Sequence, residues 1–160
     1  MPAWVSEACA DYQKRLPPQY RFNLREYPQA KNTRDKRASR TDKNHSRNNG
    51  ATDSVAVETE GDSLLAGLAA NDFVVALDSR GQSMSTRELA GRLERWQLDG
   101  RDIALLIGGP DGLSAVVKAR ADFIWSLSAL TLPHPMVRVI LLEQLYRAHS
   151  ILVNHPYHRE

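Results

Sequence analysis

Two short, almost wholly apolar runs, FVVALD at 73–78 and IALLI at 103–107, constrain the fold of this chain more than any other feature. A strand that faces water on one side alternates apolar and polar residues. A strand apolar throughout is buried on both faces, the habit of parallel sheets with helices above and below. Between the two runs lies a helix with sharp boundaries. Ser85 and Glu88 have the spacing of a capping box, Leu89, Leu93 and Trp96 follow near helical intervals, and Gly100 closes the helix. Strand, helix and strand in that order predict a right-handed crossover and a parallel pair.

The alternation continues on both sides. SAVVKARA at 114–121 reads as a short helix and FIWSLSAL at 123–130 as a third strand. A long helix from about Pro135 to Val153 carries Val137, Ile140, Leu141, Leu145 and Ala148 on one side. Ahead of the first apolar run, SLLAGLAA at 63–70 has helical spacing, and SRGQ after that run supplies turn chemistry. Near the beginning, AWVSEACADYQKR at 3–15 places Trp4, Ala8, Tyr12 and Leu16 on one helical face, and Pro17-Pro18 ends the helix. YRFNLREY at 20–27 alternates Tyr20, Phe22 and Leu24 with polar residues, as a half-buried strand does. The expected fold is α/β, a mostly parallel sheet with helices on both faces.

Length and composition fit this. A chain of 160 residues with 42% hydrophobic content suffices for one domain, expected to span 1–160, with a substantial core. The single cysteine, Cys9, excludes an intramolecular disulfide and a cysteine-based zinc site, and points to a reducing compartment. The opening MPAWV has no basic stretch before an apolar one, and no apolar run has the length of a membrane span, so a cytoplasmic location is expected. Net charge is only +2, but Lys31, Arg34, Lys36, Arg37, Arg40, Lys43 and Arg47 crowd one stretch, opposed there by Asp35 and Asp42. Clustered cations of this kind favour phosphate contacts. From Pro28 to about Gly50 the chain is too polar to offset the entropy of ordering and reads as a loop.

Several segments carry candidate chemistry. LLIGGPDGLS at 105–114 runs from a strand straight into glycines, which is where open α/β sheets bind ligands through exposed backbone N–H groups. It lacks the Lys and Ser/Thr of a phosphate-binding P-loop and the third glycine of the dinucleotide fingerprint, so a ligand loop and a plain tight turn both stand. SLSALTLPHPMVR at 126–138 offers Ser, Thr and backbone groups beside three leucines, though its composition alone favours an ordinary strand-to-helix connection with Pro135 at the helix start. His155 and His158 have the spacing of half a metal site, but no other residues complete a shell, and no metal is expected. Asn154, Tyr157, His158 and Arg159 combine stacking, hydrogen bonding and a phosphate partner at a chain end. Arg138 and Glu143 read as solvated helix charges, and Arg147 as a complement to the helix dipole. His134 near Ser126 and Ser128 does not suggest a hydrolase, because no G-x-S-x-G elbow is present.

Taken together, LERWQLDGRD, LLIGGPDGLS, WSLSALTLPHPMVRVILLEQLYRA and NHPYHRE closely resemble the family of bacterial ribosomal RNA large-subunit methyltransferases H, within the SPOUT superfamily. The likeness runs almost without gaps from about Asp72 to the end, and MPAWV with YQKRLP resembles the family's first helix. It implies a SPOUT-type sheet with a C-terminal trefoil knot, one of the rare exceptions to unknotted chains. It further implies a homodimer acting on 23S ribosomal RNA, with the methyl of S-adenosylmethionine passed to N3 of a pseudouridine. The cofactor positions implied are Leu77, Gly108, Leu127, Ser128, Ala129, Leu130, Thr131 and Leu132. Tyr157, His158 and Arg159 fall at the implied catalytic tail, and Arg138, Arg147, Asn154 and His155 at implied RNA contacts. The same cofactor loops would also serve a methyltransferase of another RNA base, and a chain that had lost catalysis would remain an RNA-binding protein.

Two departures stand out. Family members open with an apolar strand and a Gly-containing turn before the helix that begins here at the first residues, so the family's first strand is missing from this sequence. A start codon assigned too late accounts for this most simply, and a sheet without that strand is expected to carry an unpaired edge and to be less stable. The second departure is an Asn/Arg/Ser-rich insertion around 31–55, longer than the family's basic loop, for which a wider RNA footprint and an inert insertion both stand.

Overall fold

The computed structural model describes residues 2–20, 22–27 and 49–158, and the side chains of 49–54 are left aside. Its elements are α1 (Ala3–Arg15), α2 (Asn49–Ala66), β1 (Phe73–Ser83), α3 (Thr86–Asp99), β2 (Ile103–Ile107), α4 (Ala115–Arg120), β3 (Phe123–Ser126) and α5 (His134–Leu152). The strands form one sheet in the order β2-β1-β3, all parallel. The two apolar runs therefore lie side by side as their composition requires, with the longer at the centre.

Side-chain alternation along β1 sorts the core into two layers. Val75 points with Trp125 toward α3 and α5, where Leu89, Leu93, Trp96, Leu141, Leu145 and Ala148 close around them. Val74 and Ala76 point the other way, toward Leu106, Leu113 and Val117, with Leu64, Leu65 and Leu68 packed at the border. Each fully buried Leu or Val in such a layer contributes about 1.5–3 kcal/mol relative to exposure. A third, smaller layer joins α1 to the back of α5 through Val5, Cys9 and Leu142.

Local signals hold where a side chain satisfies the backbone. The Ser85 side chain accepts from Glu88 N while the Glu88 carboxylate accepts from Ser85 N at 2.7 Å, and Gly100 ends α3 in the left-handed region at φ 74°. Ser114 caps α4 by accepting from Val117 N.

The structure departs from the sequence reading at five places, each with a physical cause. First, SRGQ is not a turn. β1 continues through it to Ser83, and both Leu77 and Gln82 align with Trp125, so residues 78–81 form a bulge. Gly81 makes the return possible, since a Cβ there would lie 2.8 Å from the backbone of Ile124 and Trp125. Second, β3 stops at Ser126 instead of Leu130, because Ser126 Oγ donates to Ser128 O at 3.1 Å and Leu130 N donates to Ser128 Oγ at 2.9 Å. These local bonds compete with the ladder. Third, residues 22–27 form no strand. Tyr20 and Phe22 still pack on the core, with the Tyr20 hydroxyl held by Gln97 and His149, but no neighbouring strand offers them a ladder among the described residues. Fourth, α1 buries Val5, Cys9 and Leu16 and leaves Trp4 49% exposed, a face one residue away from that expected, because α1 packs against a single helix. Fifth, α2 begins at Asn49, so the last residues of the 28–50 and 31–55 segments are helical, and it ends at Ala66 instead of reaching residue 70. Gly67 follows because the Tyr27 hydroxyl occupies the space a side chain would need, and Arg25 Nη1 donates to Gly67 O at 3.1 Å. The clustered cations at 31–47 lie outside the described residues.

The glycines give a test with opposite signs. Gly91, inside α3, has nothing within 4 Å of its missing Cβ, so Gly91→Ala is expected to raise stability by about 0.5–1 kcal/mol. Gly81→Ala is expected to lower it by about 1–3 kcal/mol through the clash with β3. Urea unfolding midpoints check both, and equal effects would contradict the bulge geometry.

Candidate functional site

In a parallel sheet the carboxyl ends of all strands lie along one edge. Here the register fixes which residues meet there. Leu77 of β1 aligns with Ile107 on one side and Trp125 on the other. Gly108 follows Ile107 directly, and Leu127 comes two residues after Trp125. Neighbouring strands run about 4.8 Å apart. Leu77, Gly108 and Leu127 therefore share one rim, with Ser128, Ala129, Leu130, Thr131 and Leu132 continuing from it.

The 108–114 loop folds on itself. Gly112 N donates to Gly109 O at 2.9 Å, and Gly112 adopts φ 83°. A Cβ on Gly108 would lie 2.6 Å from the carbonyl carbon of Gly112, and one on Gly109 would lie 2.7 Å from a Glu60 carboxylate oxygen. The glycine at 108 is thus required by the loop's own crossing, before any ligand is considered, whereas a side chain at 109 would meet only the end of the Glu60 side chain. That requirement was not part of the sequence reading.

The 127–132 loop has a different character. Its turn is set by Ser128, but Ala129, Leu130 and Thr131 are exposed, Leu130 at 73%. Among the described residues the backbone N–H groups of Ala129, Thr131 and Leu132 meet no protein acceptor. Free donors beside a large exposed apolar side chain make a surface suited to a ligand with both hydrogen-bond acceptors and an apolar ring. Leu127, by contrast, packs on the main core.

Asp78 stands next to Leu77, at the start of the bulge, and the sequence reading overlooked it. Its carboxylate accepts from Lys118 Nζ at 2.5 Å and from Arg80 N at 2.9 Å, tying the rim to α4. The Lys118 hydrogen bond, then the Arg80 amide, hold its pKa below the ordinary value.

The chain end is folded back, not frayed. Val153 N donates to His149 O, Asn154 adopts φ 53°, and His155 N donates to Ser150 O at 2.8 Å. The turn presents Tyr157 to α5, with the Tyr157 ring 4.7 Å from Tyr146 in an edge-to-face arrangement and Arg147 over its face at 4.8 Å. Glu143 is the hub. It accepts from Arg147 Nε at 2.8 Å, from Arg147 Nη2 at 2.5 Å, from the Tyr157 hydroxyl at 3.3 Å and from Gln144 Nε2 at 2.7 Å. Gln144 in turn accepts from Thr86 Oγ1 at 2.9 Å, which links the tail to the first turn of α3. Burial, with help from the Tyr12 hydroxyl and the Glu143 carboxylate, pushes the Tyr157 pKa up to about 12. Tyr157 is therefore a neutral hydrogen-bond donor at neutral pH.

Glu143 is thus a partner of Arg147 in a network and not a solvated helix charge. Arg138 likewise pairs with Glu26. Both ring nitrogens of His158 are buried and meet no partner among the described residues. Asn154 and His155 are exposed, and Arg159 lies outside the described residues. The structure assembles Leu77, Gly108 and 127–132 into one group and Arg147 and Tyr157 into another, and among the described residues no hydrogen bond or ion pair joins the two groups directly. No group of three or more potential metal ligands exists among the described residues.

Because folding depresses the Asp78 pKa, its contribution is fully present above the unfolded value of about 4 and is lost as pH falls through the folded one. Asp78→Asn is expected to cost about 1–3 kcal/mol at neutral pH, since a charged hydrogen bond is lost. In urea titrations the gap to the parent protein should narrow steadily below about pH 4. A gap independent of pH would contradict the ion pair.

Comparison with known proteins agrees with this geometry. The family described as "Predicted SPOUT methyltransferase" matches residues 1–158. The chain is 49% identical over 160 residues to the ribosomal RNA large subunit methyltransferase H of Thioalkalivibrio sulfidiphilus, covering 100% of this chain and 93% of that protein. It is 47% identical over 159 residues to the proteins of the same name from Saccharophagus degradans and Methylococcus capsulatus, covering 99% of this chain and 93% of each. A parallel sheet with helices on both faces, a rim of exposed loop backbone and a likeness of this extent place the chain in the SPOUT methyltransferase family.

Proposed function

We propose that this chain is a single-domain methyltransferase of ribosomal RNA that transfers the methyl group of S-adenosylmethionine to N3 of a pseudouridine in 23S RNA. The observation that carries the reading is the rim, where parallel register gathers Leu77, Gly108 and the exposed 127–132 loop at one sheet edge. The names of the relatives supply the substrate class. Unpaired N–H groups at 129, 131 and 132 suit the polar atoms of a nucleoside, and exposed Leu130 suits the face of its base. The residues present therefore fit the methyl donor.

When bound, S-adenosylmethionine supplies a methyl on sulfonium, already activated for displacement. The protein's share of the work is to hold, orient and desolvate. Leu77 and Leu127, packed at the sheet end, give the rim a fixed floor, so alignment comes from the core rather than from mobile side chains. The target N3 carries a proton that must leave, and in this reading His158 is its acceptor. Its ring nitrogens have no competing partner among the described residues, which supports that role. Tyr157, held neutral, donates to the substrate, and Arg159 meets its phosphate. Arg138 and Arg147, now on carboxylates, exchange them for RNA phosphates, and Asn154 and His155 add contacts from the exposed turn after α5. The homodimer follows the same reading. Trp4 on α1 and Met136 on α5 are exposed apolar residues on helices that pack together, a suitable patch for a second copy.

One experiment tests activity and base together: single-turnover methylation of large-subunit RNA, with product nucleosides identified by mass spectrometry. The parent protein should yield N3-methylpseudouridine, and His158→Ala should be slower by at least about 100-fold with RNA binding retained. Absence of methylated pseudouridine from the parent reaction contradicts the function. An unchanged rate in His158→Ala contradicts only the assignment of the base.

A further inference from the structure

The outer side of α3 carries a second feature that neither rim nor tail explains. Glu88, Gly91, Arg92 and Arg95 recur at helical spacing and face Gln82 and Met84, at the far end of β1, across a cavity of about 230 Å³. Gly91 leaves its floor open, since nothing lies within 4 Å of where its side chain would start. The Arg92 guanidinium sits 3.9 Å from the centroid of the Phe123 ring. Such a stack fixes the guanidinium plane and leaves its N–H edges for a planar or tetrahedral anion.

Neither arginine meets a carboxylate among the described residues. Arg95 Nε donates to Gly91 O at 3.1 Å. Glu88, a helical turn earlier, spends its carboxylate on Ser85 N and Ser85 Oγ. Burial, then the Arg95 charge, lowers the Arg92 pKa. Two guanidinium groups thus share a concave surface with no ion pair to a carboxylate among the described residues, Glu88 in the same lining being bound to Ser85.

We propose that this groove is a phosphate-binding subsite for the RNA backbone, with Arg92 and Arg95 as its ligands. The inference rests on the reading above that the substrate is RNA, and it adds a contact area away from the reacting base. Paired guanidinium groups present several donors to one phosphate, a stronger recognition than a single cation gives. Gln82 belongs to the strand that leaves the rim at Leu77 and Met84 follows directly after its last residue, Ser83, so RNA seated at the rim has a continuous path to α3. Contacts of this kind set register and affinity without reading sequence.

Arg95→Gln is the cleaner variant, because Arg95 is exposed and its side chain bonds only its own helix; Arg92→Gln also removes the stack on Phe123. For each, binding to a 23S RNA transcript should weaken about tenfold, and the slope of log affinity against log salt should fall by about 1. KM for RNA should rise with kcat unchanged, while S-adenosylmethionine affinity stays at the parent value and so reports an intact fold. Arg95→Lys should recover part of the binding. Unchanged RNA affinity and salt slope in both Gln variants overturn the subsite. RNA binding that is unchanged while stabilisation by inorganic phosphate is lost assigns the groove to a free anion, and also overturns it. Parent protein that binds no RNA contradicts the proposed function itself, whereas parent methylation with unaltered Gln variants contradicts the subsite alone.

Discussion

β1 hydrogen-bonds in parallel to a neighbour on each side, and nearly everything at the candidate site depends on that ladder. Parallel strands cannot be joined by tight hairpins, so each crossover must travel back over a face of the sheet, which is where α3 and α4 lie. The loops that leave the strands then gather at one edge. The alignment of Leu77 with both Ile107 and Trp125 decides which loop residues meet. A shift of one residue in either ladder would mismatch the side chains β1 and its neighbour send into the two core layers and move Gly108 or Leu127 off the rim. The bulge at 78–81 belongs to the same constraint, since it lets β1 pass the rim, place Asp78 against Lys118 and rejoin β3 at Gly81.

The tail shows how charge is stored at such a site. Arg138 and Arg147 are held by Glu26 and Glu143, both within the same chain. Exchange of a carboxylate for a phosphate keeps a guanidinium paired throughout, which avoids leaving an unpaired charge in a half-buried place. Glu143 does more than neutralise. By accepting from Arg147, Tyr157 and Gln144 it fixes the returning chain end to α5, and through Gln144 and Thr86 to the start of α3. Among the described residues Arg92 and Arg95 form no such ion pair, the nearby Glu88 being bound to Ser85, which is why the groove on α3 stands out electrostatically.

Much of this architecture was legible in the sequence because it rests on local chemistry. The capping box at Ser85 and Glu88, the left-handed Gly100 and the two apolar strand runs each carry their own cause, and each appears where expected. What escaped depends on contacts distant in sequence. Nothing near Gly81 announces that its neighbour is the backbone of Ile124, and nothing near Gly67 announces Tyr27. The alternation at 20–27 correctly marked Tyr20 and Phe22 as core-facing but not Leu24, which is 45% exposed, and a strand also needs a partner, which alternation does not supply. The rim residues came from family resemblance; composition alone had favoured a plain connection at 126–138. Glu143 was misread because a charged helix residue looks the same in sequence whether it faces water or anchors a tail.

The central claim is that register-aligned loop backbone at the sheet rim holds the methyl donor. Titration of isotopically labelled protein with S-adenosylmethionine, followed by amide chemical shifts, tests it most directly. The account predicts saturable shifts concentrated at Leu77, at 108–112 and at 127–132, with little change along the groove of α3. Shifts that avoid the rim, or that gather at α3 or in α2, would contradict it.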